Sequence, residues 1–367
     1  ITKKEAIKDS STSKMIISKF PLNGLYGRLR YLIKYPYGCL EQTTSSIFPQ
    51  LYVDNFMELS PKEKDEINEN LEKGIERLEK FQLGNGSMSY WIGEDYTSEW
   101  GTNYAYFFLL SAIDKGYYVP EKMINKLRTY MIKTANSTRE ISLTNIQRLF
   151  LLALDKNENI SAMNYYKQNS IKDMSSLNKL LLASSYDLVG YKDVARSIYT
   201  TVDLDQIGYK DSYWRYSFGS STRDQSLALL ALKTLGSLDE KNKFQEKILS
   251  ILSSDQWLST QGSAYALLAI SKNIENSDNK LRKYSYSLDS STEERIFNGN
   301  NESISLDKIH GEKIKIKNLG ESKLYLSYYF EGVVDPSDQV EYSNELGLKV
   351  RYFTEDGKEI PLLETLK

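Results

Sequence analysis

From about Leu25 to about Asn273, apolar residues recur at intervals of three and four along the chain, in stretches broken by short Gly, Asn, Asp and Pro segments. That is the period of helices with a buried face. One helix opens at Pro61 after Ser60 and aligns Ile67, Leu71, Ile75, Leu78 and Phe81 until Gly84-Asn85-Gly86; Pro suits the first helical position because its missing N–H has no partner there. Glu and Lys fill the opposite face. The next stretch, Trp100 to Ile113, is apolar almost all round through Tyr104, Ala105, Phe107, Phe108, Leu109 and Leu110, which predicts a helix covered on both sides. Further helices are predicted at Pro120 to Lys133, Thr138 to Leu154, Ile160 to Gln168, Ser175 to Leu188, Lys192 to Val202, Asp224 to Leu235, Glu240 to Leu252 and Ser259 to Lys272.

These helices alternate in character. Strongly apolar ones (Phe107–Leu110, Phe150–Leu154, Leu180–Ala183, Leu227–Leu232, Ala264–Ile270) are interleaved with charged, amphipathic ones, at roughly 35 to 45 residues per pair. Helix pairs repeating in this way build a solenoid or a closed ring, with the apolar helices at the centre of a ring and the charged ones facing water. An irregular all-α domain is the alternative. After about Asn276 the pattern changes to period two, in Tyr284–Leu288, Ile304–Leu306, Lys313–Lys317, Leu324–Tyr329 and Leu348–Tyr352, with turns at Asn318-Leu319-Gly320 and Asp356-Gly357. This predicts a small antiparallel β region. A strand-like piece, Met15 to Phe20, precedes the helices, so the helical domain reads as inserted into a β domain. A new strand-turn, Arg351 to Ile360, lies just before the end, as if a further domain began there.

At 367 residues the chain is long enough for more than one core. Its 47 basic and 49 acidic residues leave a net charge of −2, with no field of one sign to attract nucleic acid or an anionic membrane. One cysteine and one histidine exclude an internal disulfide and a Cys/His zinc site. No stretch approaches the roughly 20 apolar residues of a membrane span, and the N-terminus lacks the apolar core of a signal peptide, as expected of a piece of something longer.

The cysteine lies in the run Tyr35-Pro36-Tyr37-Gly38-Cys39-Leu40-Glu41-Gln42. Pro36 and Gly38 turn the chain, and the following segment, through Phe48, Leu51, Tyr52 and Phe56, is again helical, so Cys39 falls at or just before a helix N-terminus. Free backbone N–H groups and the helix dipole stabilise a thiolate there. Residues three apart share a helix face, which puts the Cys39 sulfur within reach of the Gln42 amide carbon. Loss of ammonia would leave an acyl-thiol with Cys39 as leaving group, the reverse of its role in a cysteine protease. A buried structural thiol is the other reading of the same residues.

The run resembles the thioester motif PYGC-x-EQ of the alpha-2-macroglobulin and complement family, and Leu40 at the variable position is most similar to the bacterial alpha-2-macroglobulins. The same likeness extends to Gly86–Trp91, Trp100–Ala105, Gly116–Pro120, Ser221–Asp224 and Trp257–Ala264. The resemblance implies a mainly α chain: an α/α toroid of six hairpins, the thioester domain, over 23–275, inserted in a CUB-like β region whose two parts are 1–22 and 276–335. Residues 336–367 would begin a macroglobulin-like β domain. The implied activity is covalent protease trapping by a single-use inhibitor, not an enzyme, with no cofactor or metal. Cys39 would supply the sulfur and Gln42 the acyl carbon that ends on a lysine amine of the attacking protease.

Gly38 belongs to the motif turn, and Glu41 is a motif residue whose carboxylate could cap the helix start. Tyr35, Tyr37, Trp91 and Trp100 are candidates for keeping water from the acyl group, with ordinary packing as the alternative for each. Complement members that acylate hydroxyls use a toroid histidine; here His310 falls in the β region, which implies direct attack by amines, with water as the slow competitor. Asp155, Asn157 and Asn159 fall near where the family places that histidine. The implied partners are attacking proteases, the remaining domains of the parent macroglobulin and, for some members, a peptidoglycan synthase; nucleic acid is not among them. The implied location is the bacterial periplasm or cell envelope, often with a lipid anchor and a role in defence. Without shielding domains the thioester is expected to hydrolyse readily, leaving Glu at position 42. Two readings of other classes stand beside this one: a toroid enzyme, glycosidase- or cyclase-like, using Cys39 or carboxylates such as Glu94-Asp95, and a non-covalent binding module with a decayed thioester.

Overall fold

Helix starts in this chain are set by short polar side chains. The hydroxyls of Ser60, Ser142, Ser175, Ser220 and Ser237 and the amide oxygen of Asn159 accept from backbone N–H groups three residues on, which satisfies donors that the first helical turn leaves open. The computed structural model describes residues 11–21, 29, 33–208, 217–254, 256–274, 282–288, 291–297, 300–306, 314–333 and 351–360. Among them eleven helices form: α1 (Leu40–Ile47), α2 (Pro61–Glu79), α3 (Glu99–Asp114), α4 (Glu121–Ser137), α5 (Leu143–Leu154), α6 (Ile160–Asn169), α7 (Ser176–Leu188), α8 (Lys192–Tyr199), α9 (Ser221–Leu235), α10 (Leu238–Leu252) and α11 (Thr260–Ile274). A 3-10 segment, Pro49–Asn55, follows α1. The predicted helix at Thr138 starts instead at Leu143, behind its Ser142 cap, and Thr138 is extended. Most of the stretch from Leu25 to the turn before Cys39, most of Leu348–Tyr352, and His310 lie outside the described residues.

The odd-numbered helices pack in sequence, α1 on α3, α3 on α5, α5 on α7, α7 on α9, α9 on α11, and α11 returns to α1. This closes a ring. The even-numbered helices pack against these or against one another: α2 against α1, α4 against α3 and α5, α6 against α4, α8 against α7 and α9, and α10 against α9 and α11. Burial follows the same division. Helix α3 is buried along most of its length, whereas α2 buries a stripe of Ile67, Asn70, Leu71, Gly74, Ile75 and Leu78. Gly74 is where α2 comes closest to α1: a Cβ there would lie 2.6 Å from Ile47 Cγ2. The centre of the ring is filled by side chains. Tyr104 stacks on Tyr265 at 5.1 Å, Phe48 packs edge-on against Phe107 and Phe108, and the Gln147 amide donates to the Tyr265 hydroxyl at 3.0 Å.

Neighbouring inner helices run in the same direction. At one end Asn103 Nδ2, early in α3, donates to Thr144 O, early in α5, at 2.7 Å; Thr260 at the start of α11 reaches Glu41 at the start of α1; and the Arg223 guanidinium near the start of α9 lies 4.7 Å over the Trp100 ring near the start of α3. At the other end Tyr106 and Arg128 both bond Asp155 at the end of α5, and Lys272 near the end of α11 pairs with Asp114, the last residue of α3, at 3.0 Å. The structure is therefore an α/α toroid with the N-termini of these inner helices gathered at one mouth.

Eight strands are described: β1 (Thr12–Ser18), β2 (Arg282–Leu288), β3 (Ser291–Phe297), β4 (Asn301–Ser305), β5 (Ile314–Asn318), β6 (Tyr325–Glu331), β7 (Tyr352–Phe353) and β8 (Glu359–Ile360). They form sheets in the orders β4-β1-β6, β3-β2-β5 and β7-β8. The period-two pattern does not predict β3, whose centre reads Glu293-Glu294-Arg295. It forms because it pairs antiparallel with β2 along its whole length, where Lys283 forms an ion pair with Glu294 at 2.8 Å and the Tyr286 hydroxyl donates to Glu293 at 2.7 Å. By contacts the chain divides into two units, Ile1–Lys14 with Ser305–His310 and Tyr328–Lys367, and Met15–Ile304 with Gly311–Ser327; all the described helices belong to the second.

Candidate functional site

Cys39 is the N-cap residue of α1, with φ −71° and ψ 175°. Its position is held from two sides: Leu40 N–H donates to Tyr90 O at 2.9 Å, and from α2 the Arg77 guanidinium donates to Gly38 O at 2.7 Å and to Thr43 Oγ1 at 3.2 Å. Cys39 and Gln42 form the reciprocal pair of a capping box. The Gln42 side-chain oxygen accepts from Cys39 N–H at 3.2 Å, and the Cys39 side chain turns toward the Gln42 backbone N–H. Gly38 makes this possible. Its φ is +90°, and a Cβ on it would lie 2.1 Å from Gln42 Oε1 and 3.0 Å from Gln42 Cδ, so the folded-back amide occupies the space of the missing side chain. Cys39 is 2% exposed, while Gln42 is exposed. The sulfur thus lies inside, and the residue carrying the amide carbon is open to solvent.

The polar run after Gln42 is buried in α1, and its hydroxyls are satisfied along the helix: Thr44 Oγ1 donates to Leu40 O at 2.8 Å and Ser46 Oγ to Gln42 O at 2.9 Å. Glu41 does not cap the helix start. Its carboxylate turns to the ring wall and accepts from Ser45 Oγ at 2.7 Å and from Thr260 Oγ1 at 3.4 Å. Burial raises its pKa above the ordinary 4.5, and the two hydrogen bonds oppose that shift. A carboxyl raised in the folded state stabilises the fold fully below its ordinary value, and that contribution is lost as pH rises through the raised one. The urea midpoint of Glu41→Gln, measured from pH 4.5 to 8, should therefore gain on wild type as pH rises; a difference independent of pH would contradict this.

The sequence did not single out Tyr90, yet its carbonyl accepts from Leu40 N–H at 2.9 Å, which brings it beside Cys39. Burial first, and then the neighbouring Cys39 side chain, push the phenol well above its ordinary range. The Tyr90 ring stacks parallel on Phe218 at 5.8 Å and meets Trp91 edge-on at 5.7 Å. Nothing in the local pattern around Tyr90 marks it, because the fold brings it to Cys39 from a distant loop.

The aromatic candidates separate into two groups. Tyr35 and Tyr37 contact each other at 4.5 Å beside the turn, and Tyr37 is 70% exposed. Trp91 is half exposed over Tyr90. Trp100 is buried under the Arg223 guanidinium, beside the Gln261 side chain of α11; with that amide turned so that both its ends find partners, its oxygen accepts from Trp100 Nε1 at 2.9 Å. Glu94 lies in a surface loop and accepts from Trp91 N at 2.9 Å, which makes it a turn residue. Asp155, Asn157 and Asn159 do not lie at the Cys39 mouth. Asp155 is the C-cap of α5, ion-paired with Arg128 at the far end of the ring, and a helix of this length rises about 18 Å. His310 lies outside the described residues.

Residues 10–142 match the family model described as the A-macroglobulin TED domain. The alpha-2-macroglobulin of Escherichia coli (strain K12) is 26% identical over 374 residues, covering 94% of this chain but 21% of that protein; the chain thus spans about a fifth of the relative's length. Among solved structures, native E. coli alpha-2-macroglobulin from domain MG7 to the C-terminus superimposes with a TM-score of 0.69 at 22% identity, over 97% of this chain and 57% of that one. Salmonella alpha-2-macroglobulin reacted with methylamine superimposes with a TM-score of 0.68 at 22% identity, over 97% of this chain and 24% of that one. Together with the ring and the Cys39–Gln42 turn at its mouth, these matches make the chain similar to the thioester-domain region of bacterial alpha-2-macroglobulins.

Proposed function

We propose that Cys39 and Gln42 form an internal thioester that acylates lysine amines of an attacking protease, so that the parent protein traps the protease covalently. In the forming step the Cys39 thiol and the Gln42 carboxamide condense, making the Sγ–Cδ bond and releasing one ammonia. In the trapping step the amine nitrogen attacks Cδ, the C–S bond breaks, sulfur leaves as thiolate, the amine proton passes to solvent, and an isopeptide remains. The acyl group is consumed, so the inhibitor acts once and does not turn over. The observation that carries this reading is the Gln42 side chain folded back over Gly38 onto Cys39, with the sulfur buried and Gln42 exposed. Support comes also from the structural neighbour described as reacted with methylamine, a small amine. The likeness to bacterial alpha-2-macroglobulins favours protease trapping as the use of this chemistry.

A toroid enzyme would need an open centre, and the described core between the inner helices is filled by Tyr104, Tyr265, Phe107 and Gln147. We place the parent protein in a bacterial cell envelope, with proteases as its targets and a peptidoglycan synthase as a further candidate partner.

Intact mass of freshly purified protein tests the reading. A thioester lowers the mass by one ammonia, blocks thiol alkylation, and lets methylamine add with release of one thiol per chain; hydrolysis would appear as Glu at position 42. An intact carboxamide with a free thiol in protein never exposed to amines would overturn it.

A further inference from the structure

We propose that Arg77 is a positioning residue of the thioester turn: its guanidinium holds the Gly38–Cys39 peptide so that Cys39 N–H meets the negative charge developing on the Gln42 side-chain oxygen when a nucleophile adds to the acyl carbon. This rests on the thioester reading above and gives a part in it to a residue outside the motif.

The packing of two helices brings Arg77 to the turn. Helix α2 runs antiparallel to α1: Gly74 lies against Ile47, the last residue of α1, and Arg77, about one turn further on, reaches Thr43 and Gly38 at the other end. The guanidinium lies 5.6 Å over the ring of Phe81, which is buried, and this contact limits its orientations. From there one terminal nitrogen donates to Gly38 O at 2.7 Å, and Nε donates to Thr43 Oγ1 at 3.2 Å. Thr43 is itself tied to the turn, because its backbone N–H donates to Cys39 O at 2.9 Å. The fork therefore grips Cys39 from both sides, through the carbonyl before it and through the residue that binds its own carbonyl.

Gly38 O and Cys39 N–H are the two ends of one planar peptide unit. Fixing the oxygen with a cationic donor orients the N–H and makes it a stronger donor, since hydrogen bonds in a chain polarise one another. That N–H donates to Gln42 Oε1 at 3.2 Å. The line from the guanidinium thus ends on an atom that reacts. When the Cys39 sulfur adds to Gln42 Cδ, a carbonyl electron pair moves onto Oε1; it returns as the C–N bond breaks, and the nitrogen leaves as ammonia with the thiol proton. When an amine later adds to Cδ, the pair moves onto the same oxygen and returns as the C–S bond breaks. Sulfur then leaves as thiolate, and the amine proton passes to solvent. In both steps Oε1 carries more charge in the transition state than in the ground state, so a donor already in place on it lowers the barrier.

Arg77→Met keeps an unbranched stem beside Phe81 and removes the donors. Thiol release by methylamine, measured per thioester formed, should be about tenfold slower than in wild type, less than the roughly hundredfold loss that follows removal of an oxyanion donor itself. A clamp that served stability alone would loosen the turn when removed and leave that rate unchanged or raise it, so the direction of the change distinguishes the two roles. A second measurement needs no thioester. The chain has one cysteine, so isotopic labelling of cysteine alone gives one amide signal, and in a Gln42→Glu background Arg77→Met should make hydrogen exchange of that amide several-fold faster. A methylamine rate in Arg77→Met equal to or above that of wild type would overturn the inference and leave the thioester reading standing. Where the variant forms no thioester, an unchanged exchange rate at Cys39 would do the same. Wild-type protein with no loss of ammonia would instead remove the reading on which the inference depends.

Discussion

Gly38→Ala is expected to abolish the loss of ammonia and the methylamine-releasable thiol while the ring stays folded. Two independent costs meet at this residue. With φ at +90° an L side chain is strained by about 1–2 kcal/mol, which by itself would be tolerated. The second is steric and falls on the reacting group: the new methyl would lie 2.1 Å from Gln42 Oε1 and 3.0 Å from Gln42 Cδ, well inside van der Waals contact. Gln42 is exposed and flexible enough to move, and it would move away from Cys39. The fold would survive at a cost of a few kcal/mol at most, and the acyl carbon would no longer reach the sulfur. Intact mass and thiol titration with and without methylamine read the first effect, and a urea titration the second. Gly38→Ala protein carrying a full complement of thioester would show that the folded-back amide is irrelevant to forming the bond.

The largest loss of stability should come from Arg223→Ala, at about 3–5 kcal/mol. Arg223 is fully buried at the ring mouth. Its guanidinium donates to Ser217 O and Ser217 Oγ, each at 2.8 Å, and to Asp224 Oδ1 at 2.8 Å, and it lies over the Trp100 ring. Truncation would leave the buried Asp224 carboxylate without this guanidinium, which is the expensive way to break a buried pair. It would also open a cavity against Trp100. Arg223→Met, which refills the volume, should recover part of the cavity cost and none of the charge cost. The difference in urea midpoint between the two variants separates the contributions, and a total loss under about 1 kcal/mol for Arg223→Ala would mean the pair contributes little.

The helices and their alternation were legible because burial on one face or on all faces writes itself into the period of apolar residues. Phe107–Leu110 and Leu227–Leu232 needed no structure to be read as central. The choice between a ring and a solenoid was not legible. It depends on α11 returning to α1, a contact across 219 residues between Thr260 and Glu41, and both architectures have the same local pattern. The turn at Gly38 and the helix start at Cys39 could be read from residue types alone. Tyr90 could not, since its carbonyl meets Leu40 N–H only through tertiary packing. The predicted helix ending at Leu154 puts Asp155 at its C-terminal end, but sequence spacing could not say that this end of the ring lies opposite the Cys39 turn; that follows from the inner helices running in one direction, with Thr144 early in α5 held by Asn103 at the Cys39 mouth. Strand β3 was hidden because its carboxylates find partners on β2, a lysine and a tyrosine hydroxyl, and its side chains do not alternate in polarity.

The closure of the ring bears on when the reactive group can arise during synthesis. Helix α1 is the first of the described ring helices, but the wall behind it is α11, and the Thr260 hydroxyl that binds the Glu41 carboxylate lies at the start of that last helix. A ribosome must deliver the whole ring before the first helix has its final neighbour. On the proposed thioester chemistry, the acyl-sulfur bond is accordingly expected to be a late product of maturation, absent from nascent chains that stop short of α11, which would spare half-made protein from acylating its surroundings.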